Sequence, residues 1–339
     1  MIFHSLSIDL PLPGRETYSY TTSSDAFDDY LKGRYEFNKR SPQGLKKSIQ
    51  YFAEAIENDP SYVLAYGGAA DSYNLLGQYE VLPFSEAIPK AKAAELRALS
   101  LDNTVGGAHT ALATTSVITW DWAEAEPEVK RAIEIDPNDS TAHNVSSEYL
   151  SMFGRTNEAL NEIRLAQELD PLSPVNQAVV GLTLYWTRKY DQSIDQLRRT
   201  LVMEPHFPYA HSWLALAYEQ KGMMREAIAE CKAAVEYSGG NPAFTGDLGH
   251  AYAVAGYRRE AMSIVRELEE LRNRRYVKSF DVALVYIGLH ENDLAFEWLE
   301  KAFQEKQDTL PYLAVSPVDD DLRSDPRFTD LVRRIGLTR

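Results

Sequence analysis

Residues 208–238 read PYAHSWLALAYEQKGMMREAIAECKAAVEYS. Trp213, Leu214, Ala217 and Tyr218 fall at helical spacing, so they share one face of a first helix. Gly222 supplies a residue able to take positive φ, which ends that helix. Ala227, Ile228, Cys231, Ala234 and Val235 then form the apolar stripe of a second helix. Small residues at fixed points let two such helices approach closely, because the contact distance depends on the side chains at the crossing.

Outward from this stretch the pattern recurs every 34 residues. Ala91, Ala125, Ala159, Ser193, Ala227, Ala261 and Ala295 form one register. Ala98, Ala132, Ala166, Thr200, Ala234, Leu268 and Ala302 form a second, seven residues further on. Val129, Ile163, Leu197, Cys231, Val265 and Leu299 form a third between them. Pro137, Pro171 and Pro205, each after an acidic residue, stop one unit and start the next. A period of this length is the signature of a repeat array. It replaces the two or three globular domains that 339 residues would otherwise suggest, at about 100–200 residues each.

These registers resemble the tetratricopeptide repeat. Position 8 of that pattern reads Ala113, Ser147, Gly181, Ala215, Gly249 and Ala283, and position 11 reads Ser116, Leu150, Leu184, Tyr218, Tyr252 and Tyr286. The resemblance implies an all-α fold, a right-handed α-solenoid of antiparallel helix pairs with a C-terminal capping helix. The expected organisation is an extended lead-in over residues 1–24, about eight units over 25–307 and a cap over 308–339. The second unit carries nine extra residues, expected near 77–86, where Pro83 breaks the helical period. Arg188 and His290 stand where other units place glycine. In the last segment Asp325 can cap a helix that Pro326 begins and Gly336 ends.

The flanking text, LPYLAVSPVDDDLRSDPRF near the C-terminus and the AFDDYLKGRYEF stretch near the N-terminus, is similar to the tetratricopeptide region of bacterial signalling proteins. There an upstream winged-helix, kinase or cyclase domain supplies the activity. The repeats here begin by about residue 25, so the expectation is a free-standing relative or a detached portion. The triplet Asp319–Asp321 departs from the usual run at that point.

In such arrays positions 2, 5, 9, 12 and 13 of the first helix line the concave groove. Carried over, they are Asp71 and Asn74 in unit two, and Asn144, Glu148 and Ser151 in unit four. Unit five adds Leu182, Tyr185 and Trp186; unit six adds Tyr209, Ser212, Leu216 and Glu219; unit seven adds His250. Aromatic anchors among acidic neighbours imply an apolar protein or peptide partner, with basic flanks possible. The other reading of Trp186 and its neighbours is packing against an adjoining helix. A clamp for a C-terminal carboxylate needs cations from successive units, and only Arg34 stands at such a position.

The remaining chemistry is sparse. The chain has no phosphate loop, dinucleotide turn, HExxH pair or nucleophile elbow. His109, His143 and His211 share position 4, which reads as packing between repeats; a metal site would want a third ligand and further support. Cys231 reads as a small core residue. Arg272, Arg274, Arg275 and Lys278 form a basic cluster that suits either a helix C-terminus or an acidic partner. The formal charge of −15 argues against nucleic acid. No apolar run approaches the ~18 residues of a membrane span, and the first residues make a poor signal peptide, so the expected location is cytoplasmic. The expected function is a non-enzymatic adaptor without cofactor or metal. The alternative is the sensory arm of a signalling system whose effector is encoded elsewhere or missing.

Overall fold

The computed structural model describes residues 21–337; most of the expected lead-in, residues 1–20, lies outside them. Among the described residues the secondary structure is entirely helical, and the chain divides into two compact units at residue 145. The first unit contains α1 (Ser24–Asn38), α2 (Pro42–Asn58), α3 (Val63–Gln78), α4 (Phe84–Leu101), α5 (Gly106–Ile118) and α6 (Trp122–Ile135). The division falls inside α7 (Ser140–Met152). The second unit continues with α8 (Thr156–Leu169), α9 (Pro174–Trp186), α10 (Tyr190–Met203), α11 (Pro208–Gln220) and α12 (Met224–Tyr237). It ends with α13 (Pro242–Val254), α14 (Arg258–Arg272), α15 (Ser279–Gly288), α16 (Asn292–Gln304), two 3-10 turns at Leu310–Ala314 and Pro317–Leu322, and α17 (Pro326–Ile335).

Local chemistry sets the helix ends. Ser23, Ser41, Asp121, Ser173, Asn241 and Asp325 each accept a backbone N–H from the first turn of the helix they precede. Proline opens α2, α9, α11, α13 and α17, where no N–H is missed. Most inter-helix turns of the second unit use glycine in the left-handed region: Gly154, Gly222 and Gly256. Arg188 (φ 63°) and His290 (φ 57°) adopt the same conformation without being glycine. A non-glycine residue there costs about 1 kcal/mol.

Packing follows the three registers. Ala125, Ala159, Ala227, Ala261 and Ala295 are fully buried, as are Ala132, Ala166, Ala234, Leu268 and Ala302. The close approach is sharpest at Gly181 on α9: a Cβ there would sit 2.5 Å from Leu197 Cγ on α10. Within each unit first helices pack on their own second helices and on the first helix of the next repeat, as α3 does on α4 and α5 in the first and α11 on α12 and α13 in the second. The first helices α9, α11, α13 and α15 therefore line one face of the second unit, and α1, α3 and α5 line one face of the first. The nine extra residues of the second repeat are not a loop. Relative to α5 and α6, three extend α3 to 16 residues, four extend α4 to 18, and two lengthen the turn around Glu80.

The C-terminal segment ends the stack. Helix α17 packs on α16 and on the first 3-10 turn, burying Phe328, Leu331 and Ile335. Asp325 caps it and Gly336 (φ 88°) terminates it. No helix among the described residues is long and apolar enough to cross a membrane.

Candidate functional site

Position 4 of four successive repeats performs one structural task. His109 Nε2 lies 2.9 Å from the Asn103 carbonyl, His143 Nε2 3.0 Å from that of Pro137, and His211 Nε2 3.0 Å from that of Pro205. Gln177 Nε2 donates to the Pro171 carbonyl at 2.9 Å. Nδ1 of His109 and of His211 meets a carboxylate on the second helix of the same repeat, Glu128 at 2.6 Å and Glu230 at 2.5 Å. These bonds tie each first helix to the connector that closes the preceding repeat, and at His109 and His211 also to the partner helix of the same repeat. The basic cluster is also partly spent internally: Arg272 donates to the Val277 carbonyl, Ser279 and Glu305, and Lys278 pairs with Asp308 at 3.0 Å. Cys231 is buried, and burial pushes its thiol well above the usual range.

In the first unit the expected groove residues belong to a polar network between helices. Asn74 on α3 is 1 % exposed and donates to Thr115 Oγ1 on α5 at 2.8 Å. Thr115 in turn donates to Glu95 on α4. Burial lifts the Glu95 carboxyl to about 8, against the Thr115 bond. Asp71 is half-buried, and desolvation lifts it to about 6 although Arg34 and Arg40 pull the other way. Asn74 therefore bridges helices and offers no free amide to a ligand.

The second unit brings most of the expected residues together. Tyr185 and Trp186 at the end of α9 share a cluster with the half-buried Leu182 and with Leu216 on α11. Ser212 on α11 donates to Asp247 on α13 at 2.5 Å. Glu219 on α11 faces His250 Nδ1 on α13 at 3.1 Å. Tyr209 sits in a separate aromatic group, 5.5 Å from Trp213 and 5.1 Å from Phe244 between ring centroids. Glu148 on α7 is half-buried, and Ser151 and Asn144 on the same helix are buried.

This face is not open, and here the expectation of an exposed aromatic groove is corrected. Residues 310–322 lie across it. Tyr312 stacks on Trp186 with centroids 5.1 Å apart and planes 19° from parallel, and Val315 and Val318 join the same cluster. Tyr185 is fully buried and Trp186 is 7 % exposed. Packing against an adjoining element, the other reading of Trp186, describes the contact, although the element is a 3-10 segment rather than a helix. The segment is braced by Arg323, which donates to the carbonyls of Leu313, Ala314 and Ser316 and to Asp320.

The polar end of the segment meets Arg188 and two histidines of the second unit. Arg188 Nη2 donates to Asp320 Oδ1 at 2.9 Å, and His290 Nδ1 lies 3.4 Å from Asp321 Oδ2. Asp319 is 1 % exposed and interacts with the charge of His250. Burial lifts Asp319 to about 7, with Arg323 and His250 opposing and Asp320 adding to the rise. Burial works against a charged His250, but Glu219, Asp247 and Asp319 outweigh it, so its pKa also goes up. Asp247 is lifted to about 6, and Glu148 to about 7, in each case first by burial. Arg188 and His290 are the two residues of this unit, at turns between the paired helices of a repeat, held in the left-handed region without being glycine. Their side chains reach the carboxylates that depart from the family pattern. Both departures were visible in the sequence, but their pairing spans 132 residues between Arg188 and Asp320.

Residues 181–242 match the tetratricopeptide-repeat family model. The chain is similar to the transcriptional regulator HilA of Salmonella typhimurium and of Salmonella typhi, with 25 % identity over 141 residues. That match covers 42 % of this chain and 26 % of the regulator, so it spans about a quarter of the relative's length. Among solved structures, the APC/C hetero-tetramer Cut9–Hcn1 superposes with a TM-score of 0.63 at 16 % identity, over 94 % of this chain and 57 % of that one. Yeast Tom70 superposes with a TM-score of 0.53 at 17 % identity, over 95 % and 70 %. With the register analysis, these likenesses establish an all-α fold of tetratricopeptide-type repeats, a class of protein-interaction repeat.

Proposed function

We propose that the protein is a non-enzymatic adaptor that binds an apolar segment of another protein on the first-helix face of its second unit. The observation that carries this reading is the Trp186–Tyr312 stack inside a cluster of Leu182, Leu216, Val315 and Val318. That face already holds an aromatic side chain and two aliphatic ones from a short 3-10 segment, which is the way a peptide-binding surface holds its ligand. The perturbed carboxylates Asp247 and Asp319 support no chemistry in this arrangement. They flank His250, Asp247 from α13 and Asp319 from the segment, and burial is the first cause of both shifts.

The test replaces half-buried residues, so that the fold survives. Leu182→Arg with Leu216→Arg should cut capture of partner proteins about tenfold or more, with helicity by circular dichroism unchanged. Undiminished capture by the folded double variant refutes the assignment of this face.

A second reading draws on the likeness to the regulator HilA: a sensory arm that acts on a transcription regulator or other effector. An adjacent reading frame for a winged-helix, kinase or cyclase protein favours that reading, and its absence favours the adaptor.

A further inference from the structure

Three independent features converge on residues 310–321. The segment fills the aromatic cluster with Tyr312, Val315 and Val318. Its internal shape is held by the Arg323 bonds to three of its carbonyls, so it presents a defined surface rather than a slack linker. Its closing triplet, Asp319–Asp321, meets His250, Arg188 and His290 from α13 and two separate turns. Two of those residues occupy backbone positions where glycine would be less strained. The side chains at those two turns supply partners for Asp320 and Asp321 that glycine could not.

We propose that residues 310–321 are a resident occupant of the second unit's first-helix face, and that the partner competing for it is a protein segment of the same chemistry: an aromatic residue, then aliphatic residues, then a run of carboxylates. The inference rests on the adaptor reading and adds the self-occupancy and the acidic end. It differs from the sequence expectation of basic flanks, which counted the acids of the face but not Arg188 and His290 at the turns. The exposed ion pairs at Arg188 and His290 add little affinity singly. Their contribution is register: they hold the acidic end of the segment at the α9–α10 and α15–α16 turns.

A tethered occupant faces its own site at millimolar effective concentration. If the covered form makes up about 99 % of the population, a free peptide binds about 100-fold more weakly than it would to an open face. Opening the face should therefore increase affinity, which is the opposite of what loss of a merely structural contact would do.

The probe is a fluorescein-labelled peptide of residues 308–322, DTLPYLAVSPVDDDL, read by anisotropy against the full chain. The wild type should bind it weakly. Tyr312→Ala, which withdraws the ring from Trp186, should bind it at least tenfold more tightly, as should Asp320→Lys with Asp321→Lys. Hydrogen exchange over residues 310–322 reports whether each variant has opened. An opened variant that binds the peptide no better than wild type overturns the proposal. A version of the peptide with all three aspartates replaced by alanine separates the two claims. If the opened chain binds it as well as the native peptide, the acidic-end inference fails while the apolar adaptor reading stands. If the opened chain binds neither peptide, both fail.

Discussion

Asp319→Asn is an almost isosteric change that removes one titration from the interface between the C-terminal segment and its face. Asp319 is 1 % exposed, and docking lifts its carboxyl from 3.8 to about 7. The groups facing it are Arg323 and Asp320 on its own segment, His250 on α13, and more distantly Tyr185 on α9. Glu219 and Asp247 surround His250. A raised pKa means that the docked state holds the proton more tightly than the free segment. The stabilisation is full below about pH 4, declines as pH rises, and is gone once pH has passed through about 7. Between about pH 6 and about pH 8.5 the docking equilibrium should weaken about tenfold, or ~1.4 kcal/mol. His250, also raised, shifts it in the same direction. In Asp319→Asn the Asp319 share of that slope should vanish, leaving a shallower dependence and tighter docking at the alkaline end. Hydrogen-exchange protection of peptides covering 310–322, corrected for intrinsic rates, measures this. A wild-type protection factor that does not fall with pH, or an Asn variant with the same slope, would refute the reasoning.

Glu95→Gln should stabilise the first unit at pH 8 by about 4 kcal/mol and leave it unchanged near pH 4, because burial has lifted this carboxyl from 4.5 to about 8. Urea midpoints at the two pH values check it, and equal effects at both would contradict the burial argument. Arg188→Gly should raise the unfolding midpoint, or leave it unchanged, by relieving up to about 1 kcal/mol of left-handed strain, yet it should lower exchange protection over 310–322. Unchanged protection would show that the Asp320 pair does not hold the segment. Gly181→Ala should cost about 1–3 kcal/mol, since its Cβ would overlap Leu197 on α10, and a silent substitution in thermal unfolding would mean that α9 and α10 can part without penalty.

The helices and their inner registers were legible because the 34-residue period repeats the same short-range pattern many times. Ala125, Leu197 and Cys231 could be placed in the core from spacing alone. Gly222 marked a turn for the same reason, and Arg188 and His290 could be recognised as departures. The first-helix face was only half legible. Position within a repeat tells which side a residue occupies, but not what covers that side. Tyr185 and Trp186 stand at groove positions and are nonetheless buried, because the segment over them follows the last register at Ala302 and has no counterpart in any repeat. Asn74 failed differently: its amide is consumed by Thr115 on a neighbouring repeat, and hydrogen bonding across 41 residues leaves no local trace. The position-4 histidines were read as contacts between repeats, but their acid partners Glu128 and Glu230 went unseen because they lie 19 residues further on, at a spacing shared by many surface glutamates.

The central claim is that the surface around Trp186 is a peptide-binding face. It is tested most directly by titrating the 308–322 peptide into Tyr312→Ala and into Tyr312→Ala with Trp186→Ala, by isothermal calorimetry. The account predicts measurable binding to the first and loss of about tenfold or more in the second, the scale expected when a central aromatic anchor is removed. Equal affinity for the two variants would contradict it.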